Sequence, residues 1–168
     1  GMIKLARKYS FDKYGTGRAK IVTLQNSFHG RTITTLNATG QDKFHNYFFP
    51  FTEGFDYAVA GDLDSVKDKA DGETCAVMME LIQGEGGVLP LDREFVRAVE
   101  AFCRENDLLL LIDEVQTGIG RTGSLFCFQQ YGIMPDVVSM AKGLGGGVPV
   151  GAVMAAKTCC DVLTPGTH

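Results

Sequence analysis

The side chains best placed to do chemistry stand where apolar runs give way to turns. Thr74 to Leu81 (TCAVMMEL) carries Glu80 at its end, and Leu108 to Ile112 runs straight into Asp113 and Glu114. Gln116 stands three positions beyond Asp113, and Asp136 to Met140 leads to Lys142 and a glycine-rich turn, Gly143 to Gly147. Upstream, Phe28-His29-Gly30-Arg31-Thr32 sets an aromatic ring, an imidazole and a guanidinium around a glycine that permits a tight turn. Glu85 lies in a second glycine-rich stretch, Gln83 to Gly87. A metal centre fits poorly, because His29, His45 and His168 show no ligand spacing. Serine hydrolysis lacks the GxSxG elbow. The literal GxGxxG at Gly118 to Gly123 does not follow a strand directly and opens no helical pattern, so it is a decoy for a dinucleotide site. The glycines at 143–147 follow their lysine, whereas a phosphate-binding P-loop needs them before it. What remains is a lysine held at a turn beside a buried aspartate, an arrangement suited to a Schiff-base amine with an acid to hold a protonated heterocycle.

The elements that must position these groups are legible from their patterning. Leu108 to Ile112 is five branched aliphatics without alternation, the pattern of a parallel strand buried on both faces. Thr74 to Leu81, Asp136 to Met140 and Ile21 to Leu24 read as further strands, and Val148 to Ala155 as one more, with Pro149 at its start or at an edge. Neighbouring parallel strands lie only about 5 Å apart, so an aspartate ending one and a lysine following the next can share a pocket at the carboxyl edge. Asp92 caps the clearest helix, in which Phe95, Val99 and Phe102 share a face and which ends at Asn106. Asp62 caps a shorter helix, Leu63 to Ala70. Ile3 to Tyr9 reads as the tail of a helix without an N-cap, followed by a loop from Lys13 to Lys20. Phe44 to Phe55 is an irregular aromatic stretch that either covers the core or forms a pocket rim or subunit contact. These readings predict an α/β fold with a largely parallel sheet.

Composition bounds the remaining possibilities. A chain of 168 residues can bury roughly two-thirds of its unfolded surface in one domain or most of one. A net charge of −4 with scattered Lys and Arg argues against nucleic acid as a partner. Five cysteines without a CxxC pair point to a reduced, cytoplasmic setting, and no stretch reads as a signal peptide or membrane span. Gly1-Met2 reads as a short scar before a start methionine, and the closing run Thr164 to His168 reads as a truncation.

DEVQTGIGRTG (113–123) followed by AKGLGGG (141–147) resembles the class III, fold type I pyridoxal-phosphate aminotransferases. FHGRT (28–32) and ELIQGEGGV (80–88) are most similar to the acetylornithine aminotransferase branch. The four motifs stand in the family's order, and the resemblance covers nearly the whole chain. It implies a three-layer α/β/α fold with a mostly parallel mixed sheet, of which residues 1–168 form the central part of the large domain.

The resemblance also implies roles. Lys142 carries pyridoxal 5'-phosphate as a Schiff base and moves the proton, and Asp113 pairs with the pyridine nitrogen. Gln116 bonds near the ring's phenolic oxygen, while Phe28 and Val115 hold the two ring faces. Arg31 clamps a substrate carboxylate, where a planar fork serves better than an ammonium. Glu80 lies near the cofactor and Glu85 acts as a switch carboxylate, although a strand-end brace and a solvated loop carboxylate are the competing readings of these two. In the family, the phosphate site uses a turn before the first helix, and a neighbouring subunit's threonine past the last residues contributes to it. A second arginine and a small carboxyl-terminal domain also lie outside this chain. The implied activity moves the terminal amino group of N-acetylornithine to 2-oxoglutarate for arginine synthesis, in a homodimer. Ornithine, succinylornithine and 4-aminobutyrate enzymes share the motifs, and a non-catalytic fragment that keeps the fold is the competing class of function.

Overall fold

A computed structural model of the chain describes residues 1–167, and His168 lies outside the described residues. The elements in chain order are α1 (Met2–Tyr14), β1 (Lys20–Leu24), α2 (Ile33–Ala38), β2 (Phe55–Ala58), α3 (Leu63–Lys69) and β3 (Thr74–Met79). They continue with β4 (Ile82–Gln83), β5 (Leu89–Pro90), α4 (Arg93–Glu105), β6 (Leu109–Asp113), α5 (Phe128–Tyr131), β7 (Val137–Met140) and β8 (Ala152–Ala155). Short 3-10 turns cover Asp42–Phe44 and Lys142–Gly145.

Six strands form one sheet in the order β2-β1-β3-β6-β7-β8. All neighbouring pairs are parallel except β7 with β8, which is antiparallel. Successive side chains on a strand point to opposite faces, and both faces here are covered. Val22, Val77, Met79, Leu110 and Ile112 pack on one side with Val96 and Val99 of α4 and Val66 of α3. Ile21, Ala76, Met78, Leu109 and Leu111 pack on the other with Ile3, Leu5 and Ala6 of α1. The fold is therefore the anticipated three-layer α/β/α arrangement with a mostly parallel mixed sheet. Every residue of β6 is buried, which explains its unbroken aliphatic run. Truncating Leu111 or Ile112 to Ala costs ~2–5 kcal/mol by the usual scale of core cavities.

Both anticipated caps are present. The Asp92 carboxylate accepts from the amides of Glu94 and Phe95 at 2.8 and 3.1 Å, and Asp62 accepts from those of Asp64 and Ser65. Each contributes ~1 kcal/mol to helix stability.

Several boundaries differ from the sequence expectation. Helix α1 runs on to Tyr14 because Lys8 pairs with Asp12 one turn later at 2.5 Å and Ser10 turns inward, its hydroxyl donating to the Arg18 carbonyl. Strand β2 begins at the last phenylalanine of the aromatic stretch, where Phe55 pairs with Ile21 of β1. The strand expected over 148–155 is confined to Ala152–Ala155, leaving Pro149 outside the ladder. Helix α2 follows the FHGRT turn and carries no distinctive cap, so its sequence gave little to read. The glycines of 118–123 form turns that open no helix, in line with reading that GxGxxG as a decoy.

Candidate active site

The ends of β1, β3, β6 and β7 deliver the site. Asp113 is the last residue of β6 and pairs with Ser139 of β7, so Lys142 stands three residues beyond the point level with that carboxylate. Three donors fix the Asp113 side chain. The Val115 amide and the Ser139 hydroxyl donate to Oδ1 at 3.1 and 3.2 Å, and His29 Nδ1 donates to Oδ2 at 2.9 Å. The His29 side chain is fully buried, whereas the Asp113 side chain keeps 9% of its surface open. The carboxylate is thus braced from behind with a small accessible edge. His29 Nε2 has no hydrogen-bond partner among the described residues, a cost accepted only where the ring's other nitrogen is firmly engaged.

Glu80 sits just past β3 and is 3% exposed. Its two oxygens accept from the Phe28 amide at 2.8 Å and the Gly84 amide at 3.3 Å, which ties the FHGRT turn to the Gln83–Gly87 loop. Burial raises its pKa above the ordinary glutamate value, while neighbouring His29 and the two amides pull the other way. Glu114 is more deeply buried still. It accepts from the Thr117 hydroxyl at 2.5 Å and the Phe128 amide at 2.8 Å, which pins the turn that carries Val115 and Gln116.

The segments that follow β3, β6 and β7 line a cleft of about 640 Å3, within the size range of small-molecule sites. Lys142, Val115, Gln116, Gly84 and Arg121 line it. Lys142 is exposed, has no ion pair among the described residues, and sits at φ 44, a left-handed conformation that costs a non-glycine residue ~1–2 kcal/mol. Gly30 takes φ 125, and the turn it makes lays the Arg31 guanidinium 5.6 Å from the centroid of the Phe28 ring.

Of the residues singled out from sequence, Lys142, Val115 and Gln116 share the cleft wall, while Asp113, at the end of β6 two residues before Val115, does not line it. Phe28, Glu80 and Arg31 gather on the neighbouring turn and do not line the cleft itself. Glu85 is exposed and makes no side-chain hydrogen bond or ion pair among the described residues. Sequence reasoning noted His29 and Glu114 among the chemistry-bearing side chains but gave neither a role, and it gave none to Arg121. A buried strand-end aspartate needs a donor, and an imidazole just past a nearby strand was the available signal for His29.

The family model for class III aminotransferases matches residues 1–168. The chain belongs to the class III aminotransferase family. It is 54% identical over its whole length to the acetylornithine aminotransferase of Haemophilus ducreyi, covering 43% of that protein. It is 46% identical to the succinylornithine transaminase of Citrobacter koseri over 99% of the chain and 41% of that relative. Among solved structures, the ornithine aminotransferase of Toxoplasma gondii superposes with a TM-score of 0.92 at 35% identity, over 99% of this chain and 40% of that one. The N-acetylornithine aminotransferase of Stenotrophomonas maltophilia superposes with a TM-score of 0.77 at 36% identity, over 95% and 38%. The chain spans about two-fifths of the length of these relatives.

Class III aminotransferases work with pyridoxal phosphate, and this site's donor set suits that cofactor. An amine without an ion pair, an amide and a branched aliphatic share one wall, and a carboxylate that three donors hold in place is bonded to the backbone of that wall at Val115. Among the described residues, no cluster of three His, Cys, Asp or Glu could hold a metal ion.

Proposed function

We propose that this aminotransferase chain moves the terminal amino group of N-acetylornithine to 2-oxoglutarate, in arginine biosynthesis, with pyridoxal 5'-phosphate bonded to Lys142. The observation that carries the proposal is the ladder pairing of Asp113 with Ser139, which sets a braced acid and a free amine at the ends of adjacent strands. When bound, the cofactor supplies an aldehyde that captures amines and a pyridine ring that accepts the electron pair left when a C–H bond breaks.

The chain's own residues do the rest. Asp113, fixed by His29, Val115 and Ser139, stays an acceptor for a ring N–H. The Lys142 amine, once released, takes a proton from the substrate carbon next to nitrogen and returns it as an acid. Gln116 would donate to the ring oxygen and Val115 would confine one ring face, with Phe28, on the turn beside the cleft, as the cover for the other. Arg31 grips a substrate carboxylate, and Glu85 offsets a cation in one half-reaction. Glu80 braces the turns that carry Phe28 and Gly84 and so acts near the cofactor through the backbone.

Relatives named for acetylornithine support that donor over succinylornithine, because they are more similar to this chain. Residues 1–168 correspond, in this proposal, to the central part of the large domain, working as a homodimer in the cytoplasm on a small amino acid and a 2-oxo acid. No helix among the described residues is long and apolar enough to cross a membrane. The test supplies the protein with pyridoxal phosphate and 2-oxoglutarate and compares glutamate formation from N-acetylornithine, succinylornithine, ornithine and 4-aminobutyrate. The proposal expects the highest kcat/KM with N-acetylornithine and none in Lys142→Ala. A higher kcat/KM with any other donor contradicts the substrate assignment, and no transfer at all favours a non-catalytic fragment that keeps the fold.

A further inference from the structure

The loop after β3 meets the turn after β6 at one close contact. A Cβ built on Gly84 would stand 2.6 Å from Gln116 Nε2 and 2.7 Å from both Cδ and Oε1, so the Gln116 amide lies flat against the Gly84 Cα. Gly84 is not in the left-handed region, so its backbone conformation is open to an L side chain. The three nearest atoms that a side chain here would meet all belong to Gln116. Gly86, two residues on, differs: its Cβ would meet the Asn26 carbonyl oxygen at 2.7 Å, a backbone atom that cannot step aside.

The place of Gly84 is itself fixed. Its amide donates to Glu80, and its carbonyl accepts from the amides of Gly87 and Val88 at 3.2 Å. It thus forms a rigid surface, one atom deep, against which a flexible amide is laid. Gly84 and Gln116 both line the cleft that Lys142 lines.

We infer that Gly84 is a positioning residue, whose missing side chain sets where the Gln116 amide points within the cleft. This rests on the reading that Gln116 contacts the cofactor's ring oxygen. Adding one methyl group at Gly84 turns the amide away and leaves the fold intact, because the atoms it displaces are the far end of one side chain.

The test is a cycle of Gly84→Ala, Gln116→Ala and the double variant, with two readouts. Nitrogen-15 spectra of the chain without cofactor report the Gln116 side-chain amide, identified by its loss in Gln116→Ala. Titration with pyridoxal phosphate reports affinity. The inference expects Gly84→Ala to move the Gln116 amide signals while most backbone signals stay in place. It further expects the affinity to fall about tenfold in each single variant, the scale of one hydrogen bond, with no additional loss in the double variant. Unmoved amide signals in Gly84→Ala overturn the inference, as does a further tenfold loss on adding Gly84→Ala to Gln116→Ala. The double variant has room for the added methyl, so it reports even if Gly84→Ala alone folds poorly. If Gln116→Ala binds as tightly as the parent chain, the ring-oxygen role of Gln116 fails instead, a result distinct from failure of the positional claim.

Discussion

The acid and the amine of the site are built in opposite ways. Asp113 ends a fully buried strand, accepts three hydrogen bonds and is backed by an imidazole with no exposed surface. Lys142 stands exposed on a glycine turn at φ 44, with no ion pair among the described residues. A group that only has to hold a charge in one place is best fixed by the core. In the proposed role Lys142 must bond, release and move a proton, which needs room, and the strained turn keeps it off the strand that delivers it.

This contrast separates loss of chemistry from loss of stability. The largest effect falls on Lys142→Ala, which abolishes covalent attachment of the cofactor while the urea unfolding free energy stays within about 0.5 kcal/mol, since the ammonium has no partner to lose. Asp113→Ala affects both. It strands His29 with two unpartnered ring nitrogens and lowers the unfolding free energy by about 2–4 kcal/mol, while Asp113→Asn loses cofactor affinity with less damage to the fold.

Glu114→Ala tests whether the buried staple matters to the cleft wall. Losing the bonds from Thr117 and Phe128 costs about 2 kcal/mol and weakens cofactor binding through Val115 and Gln116, measured by urea melts and titration. Glu80 gives a smaller, pH-dependent effect. Its folded pKa is raised, so the folded state holds the proton more tightly than the unfolded chain, and its contribution is most favourable below about pH 4. As pH rises through the raised value that contribution is lost. Glu80→Gln removes this dependence, so the stability of the parent chain relative to Glu80→Gln should fall as pH rises from about 4 to neutrality. Glu85→Gln, at an exposed side chain with no hydrogen bond or ion pair among the described residues, changes the unfolding free energy by less than about 0.5 kcal/mol.

The strands beneath the site were readable because each has a single strong cause. An unbroken aliphatic run demands cover on both faces, and β6 has it; Asp92 and Asp62 announce their helices by capping them. The apolar runs that end in Asp113 and lead to Lys142 read as neighbouring parallel strands, and the ladder pairs them. What escaped were features with long-range causes. His29 is a brace only because β1 lies two strands from β6, a fact of sheet order and not of local pattern. Strand β2 hides at the end of an aromatic stretch because its pairing with β1 outweighs its weak local signal. Gly84 looks like one more loop glycine until Gln116, 32 residues later, is found against it.

The central claim is that Lys142 and Asp113 serve one cofactor. The most direct measurement treats the chain with pyridoxal phosphate, reduces it with borohydride and locates the added mass by peptide sequencing in the mass spectrometer, for the parent chain and for Asp113→Asn. The account predicts the label on Lys142 alone, with at least tenfold more cofactor needed to reach half-labelling in Asp113→Asn. Label spread over the surface lysines, or half-labelling at the same concentration in both proteins, would contradict it.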